Sequence, residues 1–154
     1  MKKAFTLIEL IIVIVIIGIL MAVAVPKLFA TRDDAIITRV RTQIANIRSA
    51  IADYHTKEMM KGLNKYPNTL DEANVNQDDQ KLFEGNHTNN VYLLEYPVYS
   101  KNADGHWMKT DDTNYTVKIM NNDVKFDYNN TNGHFDCDGL NSGEADTICA
   151  KLTH

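Results

Sequence analysis

The sequence predicts an α+β protein in which one long N-terminal helix packs against a small antiparallel sheet of three or four strands. Residues 5–25 are apolar almost throughout, and from residue 26 to residue 62 the apolar spacing stays helical but becomes amphipathic. Beyond residue 90, short stretches alternate between apolar and polar side chains, as strands do. A chain of 154 residues with a formal net charge of −4 suits one modest domain on such a helix.

The first stretch, residues 5–25, has the length and composition of a membrane-spanning helix. At ~1.5 Å per residue, about twenty helical residues cross a bilayer core of ~30 Å. Glu9 is its one ionisable side chain, and a carboxylate there costs roughly 2.5–3.5 kcal/mol on insertion scales. Lys2 and Lys3 hold the start of the chain on the cytoplasmic side, which places the remainder outside. We therefore expect that Glu9 is kept for a function.

A secretory signal peptide is an alternative interpretation of this stretch, but its order of residues differs. Such a signal has about 7–15 apolar residues followed by a small-residue cleavage site. Here the apolar run is longer, and the small residue next to the lysines, Ala4, comes before it. A plain N-terminal anchor is the other alternative, and it explains neither Glu9 nor the junction between Ala4 and Phe5.

Residues 2–10, KKAFTLIEL, resemble the cleavage and methylation signal of type IV pilins and of the pseudopilins of type II secretion and DNA-uptake machines. The resemblance implies that a prepilin peptidase cuts between Ala4 and Phe5 and that the new Phe5 amine is methylated. Ala4 stands where Gly is usual in the family. Gly18 and Pro26 fall where such proteins have residues that weaken the helix, with a kink expected at Pro26.

The resemblance implies a structural subunit rather than an enzyme. Such a subunit is anchored in the bacterial inner membrane with its head in the periplasm. An inner-membrane assembly platform then polymerises it into a type IV pilus, or into a type II secretion or DNA-uptake pseudopilus. Its partners are the lipid bilayer before assembly, the prepilin peptidase, and other copies of itself and related pilins. A minor subunit that primes or caps the filament is an alternative, as is a monomeric membrane-anchored periplasmic binding module.

Given the cleavage that the resemblance implies, the physical chemistry of Glu9 also supports assembly. Cleavage leaves a cationic amine on Phe5, one helical turn from Glu9. Opposite charges in apolar surroundings attract strongly, and either charge left alone is heavily penalised. If subunits stack with a small axial offset, Glu9 of one chain can neutralise the Phe5 amine of its neighbour. The apolar helices then form a filament core that replaces lipid.

The sequence divides into a leader (1–4), a transmembrane and filament-core helix (5–25), an amphipathic helix (26–62) and a periplasmic head (63–154). The apolar residues of the amphipathic helix recur at spacings of three, four and seven, so they share one face. They are Phe29, Ile36, Val40, Ile44, Ile47, Ile51 and Tyr54. This face predicts the surface on which the sheet packs. Gly62 predicts that the helix ends at Lys61.

The arginines of the amphipathic helix are spread around it and offset by acids. This distribution indicates a solvated face or subunit contacts rather than binding of nucleic acid.

The head contains several strand signals. Val91–Tyr96 is apolar and aromatic, Tyr115–Ile119 and Val124–Tyr128 alternate, and a further short strand is expected at Trp107 and Met108. The Asn-Asn-Asp break at 121–123 predicts a hairpin turn.

One further helical turn is expected before these strands. Thr69 and Glu72 have the spacing of a capping box and predict a single turn after Pro67.

Cys137 and Cys149 are the only cysteines, and in an oxidising compartment they are expected to pair. The bridge closes a loop of about a dozen residues, worth roughly 3 kcal/mol in the chain-entropy model. Two free thiols or a metal site are the alternatives, and two cysteines without companion ligands argue against zinc. The closed loop also resembles the disulfide-bounded surface region of many pilins.

Acidic turns in the head invite a calcium interpretation. Asp104, with Asp111 and Asp112, is similar to part of the calcium loop of the major type II secretion pseudopilins, but most of that motif is missing. Ordinary turns and solvated loops are the favoured explanation of these acids. We therefore expect no cofactor and keep calcium as the alternative.

Three sites, Asn86, Asn114 and Asn129, have the Asn-x-Ser/Thr pattern of N-glycosylation, and each has an acid two residues earlier. Chance alone would place an acid before all three about 0.2% of the time. The extended pattern resembles the acceptor of bacterial periplasmic N-glycosylation systems. Coincidence in a head rich in Asn and Asp is the alternative.

The alternative to a structural subunit is an enzyme. The five histidines lie far apart in the sequence, and it contains no HExxH, no Gly-rich phosphate loop, no nucleophile elbow and no CxxC. Nothing in these patterns predicts catalysis.

Overall fold

The described part of the computed structural model is residues 6–153, without the side chains of residues 26–31. The predicted cleavage and methylation residues, Ala4 and Phe5, lie outside it, as does the side chain of Pro26. The chain divides into two compact units, one up to Ala35 and one from Ile36 onward.

The first unit is the apolar part of helix α1 (Leu7–Met60), which runs without a break in its backbone assignment through Gly18 and Pro26. Within the described chain, Leu7–Val25 is the one helical segment long and apolar enough to cross a membrane. Its large apolar side chains are between 42% and 76% exposed. An apolar surface of this extent requires lipid or partner helices to cover it.

Helix α1 ends in a Schellman motif. The Gly62 N–H donates to the Met59 carbonyl at 2.9 Å, and the Leu63 N–H donates to the Glu58 carbonyl at 3.0 Å. Gly62 has φ +79°, which is the left-handed conformation that this cap needs and that glycine adopts without strain. Gly62 thus ends the helix as predicted, with Met60 as the last helical residue instead of Lys61.

The second unit contains two antiparallel sheets, which confirms the α+β class. A two-stranded sheet pairs β1 (Lys81–Leu82) with β2 (Val98–Tyr99). A four-stranded sheet has the order β3-β4-β5-β6. Its strands are β3 (Trp107–Lys109), β4 (Asn114–Ile119), β5 (Asn122–Asn129) and β6 (His134–Asp136). A 3-10 helix (His87–Asn89) and helix α2 (Glu144–Thr153) complete the described elements.

The β4–β5 hairpin turns at Met120 and Asn121, one position before the predicted break. Ile119 pairs with Asn122, and the two residues between them have φ of 51° and 63°. Positive φ at both central residues is the signature of a type I′ turn, whose twist matches that of the strands. Asn122 and Asp123 therefore belong to β5.

The strand predicted at Val91–Tyr96 is wrong. The backbone of this stretch instead bonds to the preceding loop: the Val91 N–H donates to the Asn86 carbonyl at 2.8 Å, and the Leu93 N–H donates to the Glu84 carbonyl at 3.0 Å. The strand of this region is β2, which starts directly after Pro97. Because proline has no N–H, the first position of a strand or the residue before it suits proline well.

The helical turn predicted from Thr69 and Glu72 is also wrong, since the described chain has no helical assignment there. The Glu72 carboxylate accepts a hydrogen bond from the Thr88 side chain rather than capping a helix, and this bond lowers the pKa of Glu72. Helix α2 was absent from the sequence-based prediction. It buries three side chains, Ile148, Cys149 and Leu152.

The core of the second unit lies between the apolar face of α1 and the four-stranded sheet. Of the predicted helix face, Val40, Ile44, Ile47 and Ile51 are at most 2% exposed, which confirms it as the packing surface. The sheet contributes alternate residues, as strand geometry requires. They are Trp107, Tyr115, Val117, Ile119, Val124, Phe126, Tyr128 and Phe135.

The predicted disulfide joins α2 to the end of the sheet. Cys137 directly follows β6 and Cys149 lies in α2, with their sulfurs bonded at 1.98 Å. Both cysteines are at most 1% exposed, so the bridge is part of the core.

Three arginines of α1 also bind the head, which the sequence did not predict. Arg39 and Arg41 are exposed and Arg48 is half-buried, so the face is largely solvated as expected, while contacts with other subunits stay a prediction. Each donates to a backbone carbonyl far along the chain. The pairs are Arg39 with Gly105, Arg41 with Lys151, and Arg48 with Phe135. Arg48 also forms an ion pair with Asp136 at 3.1 Å.

A buried ion pair ties the loop after α1 to the sheet. Asp71 accepts from Lys109 Nζ at 3.0 Å and from the Tyr115 hydroxyl at 2.9 Å. The backbone N–H groups of Ala73 and Phe83 donate to the same carboxylate at 3.2 Å and 3.1 Å. Burial first, and then the Asp71 charge, raise the pKa of Tyr115 well above its usual value, so the phenol stays a donor. All four contacts are made to the buried Asp71 carboxylate, and the Lys109 ammonium that pairs with it is also buried.

We predict that Asp71→Asn lowers the free energy of unfolding by about 3–5 kcal/mol, because it leaves the Lys109 charge buried without a counter-charge. The measurement is denaturant unfolding of the full chain in detergent, followed by the fluorescence of Trp107, the single tryptophan. Asp136→Asn is the matched control, since it breaks a partly exposed pair worth about 0–1 kcal/mol. Equal losses in the two variants would contradict this account of the head.

Candidate functional site

The side chains of Thr6 and Glu9 cap the N-terminus of helix α1. The Thr6 N–H and the Thr6 hydroxyl both donate to Glu9 Oε2 at 2.8 Å. In return, the Glu9 N–H donates to Thr6 Oγ1 at 3.3 Å. This reciprocal arrangement is a capping box, in which a Thr and an acid three residues later satisfy each other's backbone donors.

The capping box holds the carboxylate at the one place on an apolar helix that favours a negative charge. Unpaired N–H groups and the helix dipole make the first turn electropositive, and Glu9 lies within it. Its neighbours Leu7, Ile8 and Leu10 are 60% or more exposed, so the charge sits on an apolar surface. The carboxylate is thus hydrogen-bonded without being removed from that surface.

The two oxygens of Glu9 have different surroundings. Both Thr6 donors bond to Oε2, and no hydrogen bond from the described residues reaches Oε1. A carboxylate has about four lone-pair sites on its two oxygens. Glu9 can therefore accept from a second donor without giving up its own cap.

Thr6 holds the Glu9 carboxylate, and this role was not predicted from the sequence. The signal was present, because Thr-x-x-Glu before an apolar run is the sequence pattern of a capping box.

Gly18 is helical, and apart from the neighbouring helix backbone no atom of the described chain lies within 4 Å of the position that a Cβ would take. The expectation that Gly18 and Pro26 weaken the helix stays a prediction, as do cleavage and methylation at Ala4 and Phe5.

Two of the acids considered for calcium, Asp104 and Asp111, accept hydrogen bonds from backbone N–H groups. Asp104 accepts from the Asn121 N–H at 3.4 Å, and Asp111 accepts from the Asp112 N–H at 2.8 Å. Among the described residues, one group of three potential metal ligands comes together, and it consists of Asp138 with the two bridged cysteines. Sulfurs in a disulfide are not thiolate ligands, and calcium binding stays an untested alternative.

The three asparagines of the glycosylation pattern lie in different settings. Asn86 is half-buried and caps the 3-10 helix, with its side chain accepting from the Asn89 N–H at 2.8 Å. Asn114 is the half-buried first residue of β4. Asn129 is exposed at the end of β5, where its side chain accepts from the Thr131 N–H at 2.9 Å.

Comparison with known proteins bears on the N-terminal segment in particular. Residues 1–25 match the family model of the prokaryotic N-terminal methylation motif. Over 50 residues the chain is 56% identical to the type IV narrow pilus major component PilA5 of Thermus thermophilus. That match covers 32% of this chain and 43% of the pilin. No solved structure matches the chain. The family indicated by these matches is structural rather than enzymatic.

Proposed function

We propose that this chain, a member of the type IV pilin and pseudopilin family by its N-terminal methylation motif, is a filament subunit that is cleaved before Phe5 and polymerised from the inner membrane. The observation that carries the proposal is the capped carboxylate of Glu9 at the start of an exposed apolar helix. The exposed apolar side chains of this segment must be covered by lipid or by other helices. When protein replaces lipid around it, the Glu9 carboxylate must be paired with a cation. Another copy of the same helix supplies both.

The proposed assembly step exchanges the surroundings of Glu9 while keeping its cap. In the membrane, Thr6 supplies two hydrogen bonds to Oε2, which lowers the cost of keeping the charge in an apolar setting. After cleavage, the amine of a neighbouring Phe5 approaches Oε1. Pairing two buried charges relieves the penalty on each, so the correct axial offset between subunits is favoured over others. The apolar helices then pack with that offset.

The placement of the head in the periplasm is supported by two observations. Lys2 and Lys3 precede the apolar segment, and a basic flank favours the cytoplasmic side. The Cys137–Cys149 bridge suits an oxidising compartment such as the periplasm. The head would therefore fold outside before it enters a filament.

We predict that mature protein from cells begins at Phe5 and carries one methyl group on its amine. Intact mass and N-terminal sequencing of the membrane fraction measure both. A strain that lacks the prepilin peptidase provides the control, and there the chain should retain its first four residues. Mature protein that still begins at Met1 in the presence of the peptidase would refute the proposal.

We predict that Glu9→Gln and Glu9→Val leave the chain inserted and cleaved but lower the yield of filaments by about tenfold or more. Leaving the neighbour's amine buried without its partner costs about 3–5 kcal/mol, enough for such a drop. The measurement compares sheared filaments with the membrane fraction. Glu144→Gln is the matched control, because Glu144 also lies in the first turn of a helix but is exposed on the head. Filament yield at the wild-type level in both Glu9 variants would overturn the mechanism. If the wild-type chain is inserted and cleaved but never assembles, a membrane-anchored binding module would be favoured instead.

A further inference from the structure

We infer that Asn129 is the acceptor of an N-linked glycan on the folded head, and that the fold withholds Asn86 and Asn114. The inference rests on the proposed function only for the place of modification, since the head must reach the periplasm to meet the enzyme. All three asparagines have the acceptor pattern with an acid two residues earlier, namely Glu84, Asp112 and Asp127. The sequence does not rank them, but the structure does.

The transfer itself needs a donor and a reachable amide. A polyprenyl-pyrophosphate-linked oligosaccharide supplies the sugar. A bond forms between the asparagine Nδ2 and the anomeric carbon, and the bond from that carbon to the pyrophosphate oxygen breaks. The lipid pyrophosphate leaves with the bonding electrons, and Nδ2 loses one proton to a base of the transferase. The enzyme must enclose the Asn side chain and also contact the hydroxyl of the Ser or Thr two residues later. A protruding turn allows this and a strand inside a sheet does not.

Asn114 fails this requirement because its acceptor sequence forms a central strand. Asn114 pairs with Asp127 of β5, and Thr116 pairs with Lys125 on one side and Met108 on the other. Tyr115, between them, is completely buried and donates to the Asp71 carboxylate. Presenting Asn114 would require opening the sheet and unpairing that carboxylate.

Asn86 fails it because its side chain is half-buried and its loop is packed against the next segment of the chain. Its side chain caps the 3-10 helix, and its carbonyl accepts from the Val91 N–H at 2.8 Å. The Thr88 side chain, which the enzyme would read, donates to the Glu72 carboxylate. The preceding Gly85 has φ +101°, and a Cβ there would lie 2.3 Å from the Val91 carbonyl oxygen, so this loop is packed tightly against the next segment.

Asn129 comes nearest to the requirement, because its side chain and the residues directly after it are exposed, although its backbone pairs with His134 and that of Asp127 pairs with Asn114 and Asp136. Asn129 is the last residue of β5, and the exposed residues 130–132 follow it in the turn that leads to β6. The bond from the Thr131 N–H to Asn129 Oδ1 at 2.9 Å brings the acceptor amide and the threonine to one side of an Asx turn. Successive strand residues point to opposite faces, so Asp127 shares the face of Asn129, opposite the buried Tyr128.

The base of this turn is held firmly, which keeps its tip outside. Gly133 has φ +74°, and a Cβ there would lie 2.3 Å from the Tyr66 ring. Tyr66 in turn stacks on His55 with ring centroids 4.0 Å apart. The Gly133 N–H donates to the Asn129 carbonyl at 2.8 Å and closes the turn. A glycan on Asn129 would therefore project from the end of the head at which α1 stops.

The test uses the purified full chain in detergent, with its disulfide intact. A purified bacterial oligosaccharyltransferase that requires an acid two residues before the Asn is added with its lipid-linked oligosaccharide. Intact mass and peptide mapping count and locate the glycans. We expect one glycan on wild type, Asn86→Gln and Asn114→Gln, and none on Asn129→Gln. Thr131→Ser, which keeps the hydroxyl, should be modified, whereas Thr131→Val should not.

Two comparisons make the result decisive. The reduced and alkylated chain, unfolded in the assay, should accept more than one glycan, because its strands no longer protect Asn114. Folded wild type that stays at the mass of the bare chain, or a glycan that persists in Asn129→Gln, would overturn the inference. A failure of export in cells, seen as alkylatable Cys137 and Cys149, would instead count against the proposed function and leave the result with purified protein standing.

Discussion

The first segment depends on one constraint, which is that the Glu9 carboxylate must be satisfied while it lies among exposed apolar side chains. Thr6 meets part of this need with two hydrogen bonds to a single oxygen, at the end of a helix where a negative charge is favoured. The remaining oxygen suits a cation. In the account proposed here, lipid and filament core are two surroundings for the same helix, and the partner of Glu9 distinguishes them.

The head, in contrast, is held by contacts that need no second chain. From Ile36 onward, helix α1 serves as one layer of the head, because its buried face completes the core of the four-stranded sheet. Three arginines reinforce this packing by donating to carbonyls of distant loops. The pair of Asp71 with Lys109 fixes the loop after the helix. In the proposed filament, a head held in this way would enter the assembly already folded.

Several features set by neighbouring residues were predictable from the sequence, although the Thr69–Glu72 pattern did not form a helical turn, and features set by distant partners were not. The buried face of α1 follows from helical spacing, and the Thr6–Glu9 cap from residues three apart. Arg48, however, donates to a carbonyl 87 residues away, which no local pattern shows. The strand expected at Val91–Tyr96 failed because that backbone bonds to residues 83–86 instead of a sheet. Helix α2 was missed because ten residues with three buried side chains give a weak periodic signal.

The most direct test of the central claim is the structure of the assembled filament, determined by electron cryo-microscopy at a resolution that shows side chains. The account predicts that a Glu9 carboxylate oxygen lies within about 4 Å of the Phe5 nitrogen of a neighbouring subunit, the distance of an ion pair. It also predicts that Thr6 of the same chain still bonds to the other oxygen. A filament in which Glu9 contacts only its own chain, with the neighbour's amine paired elsewhere, would contradict it.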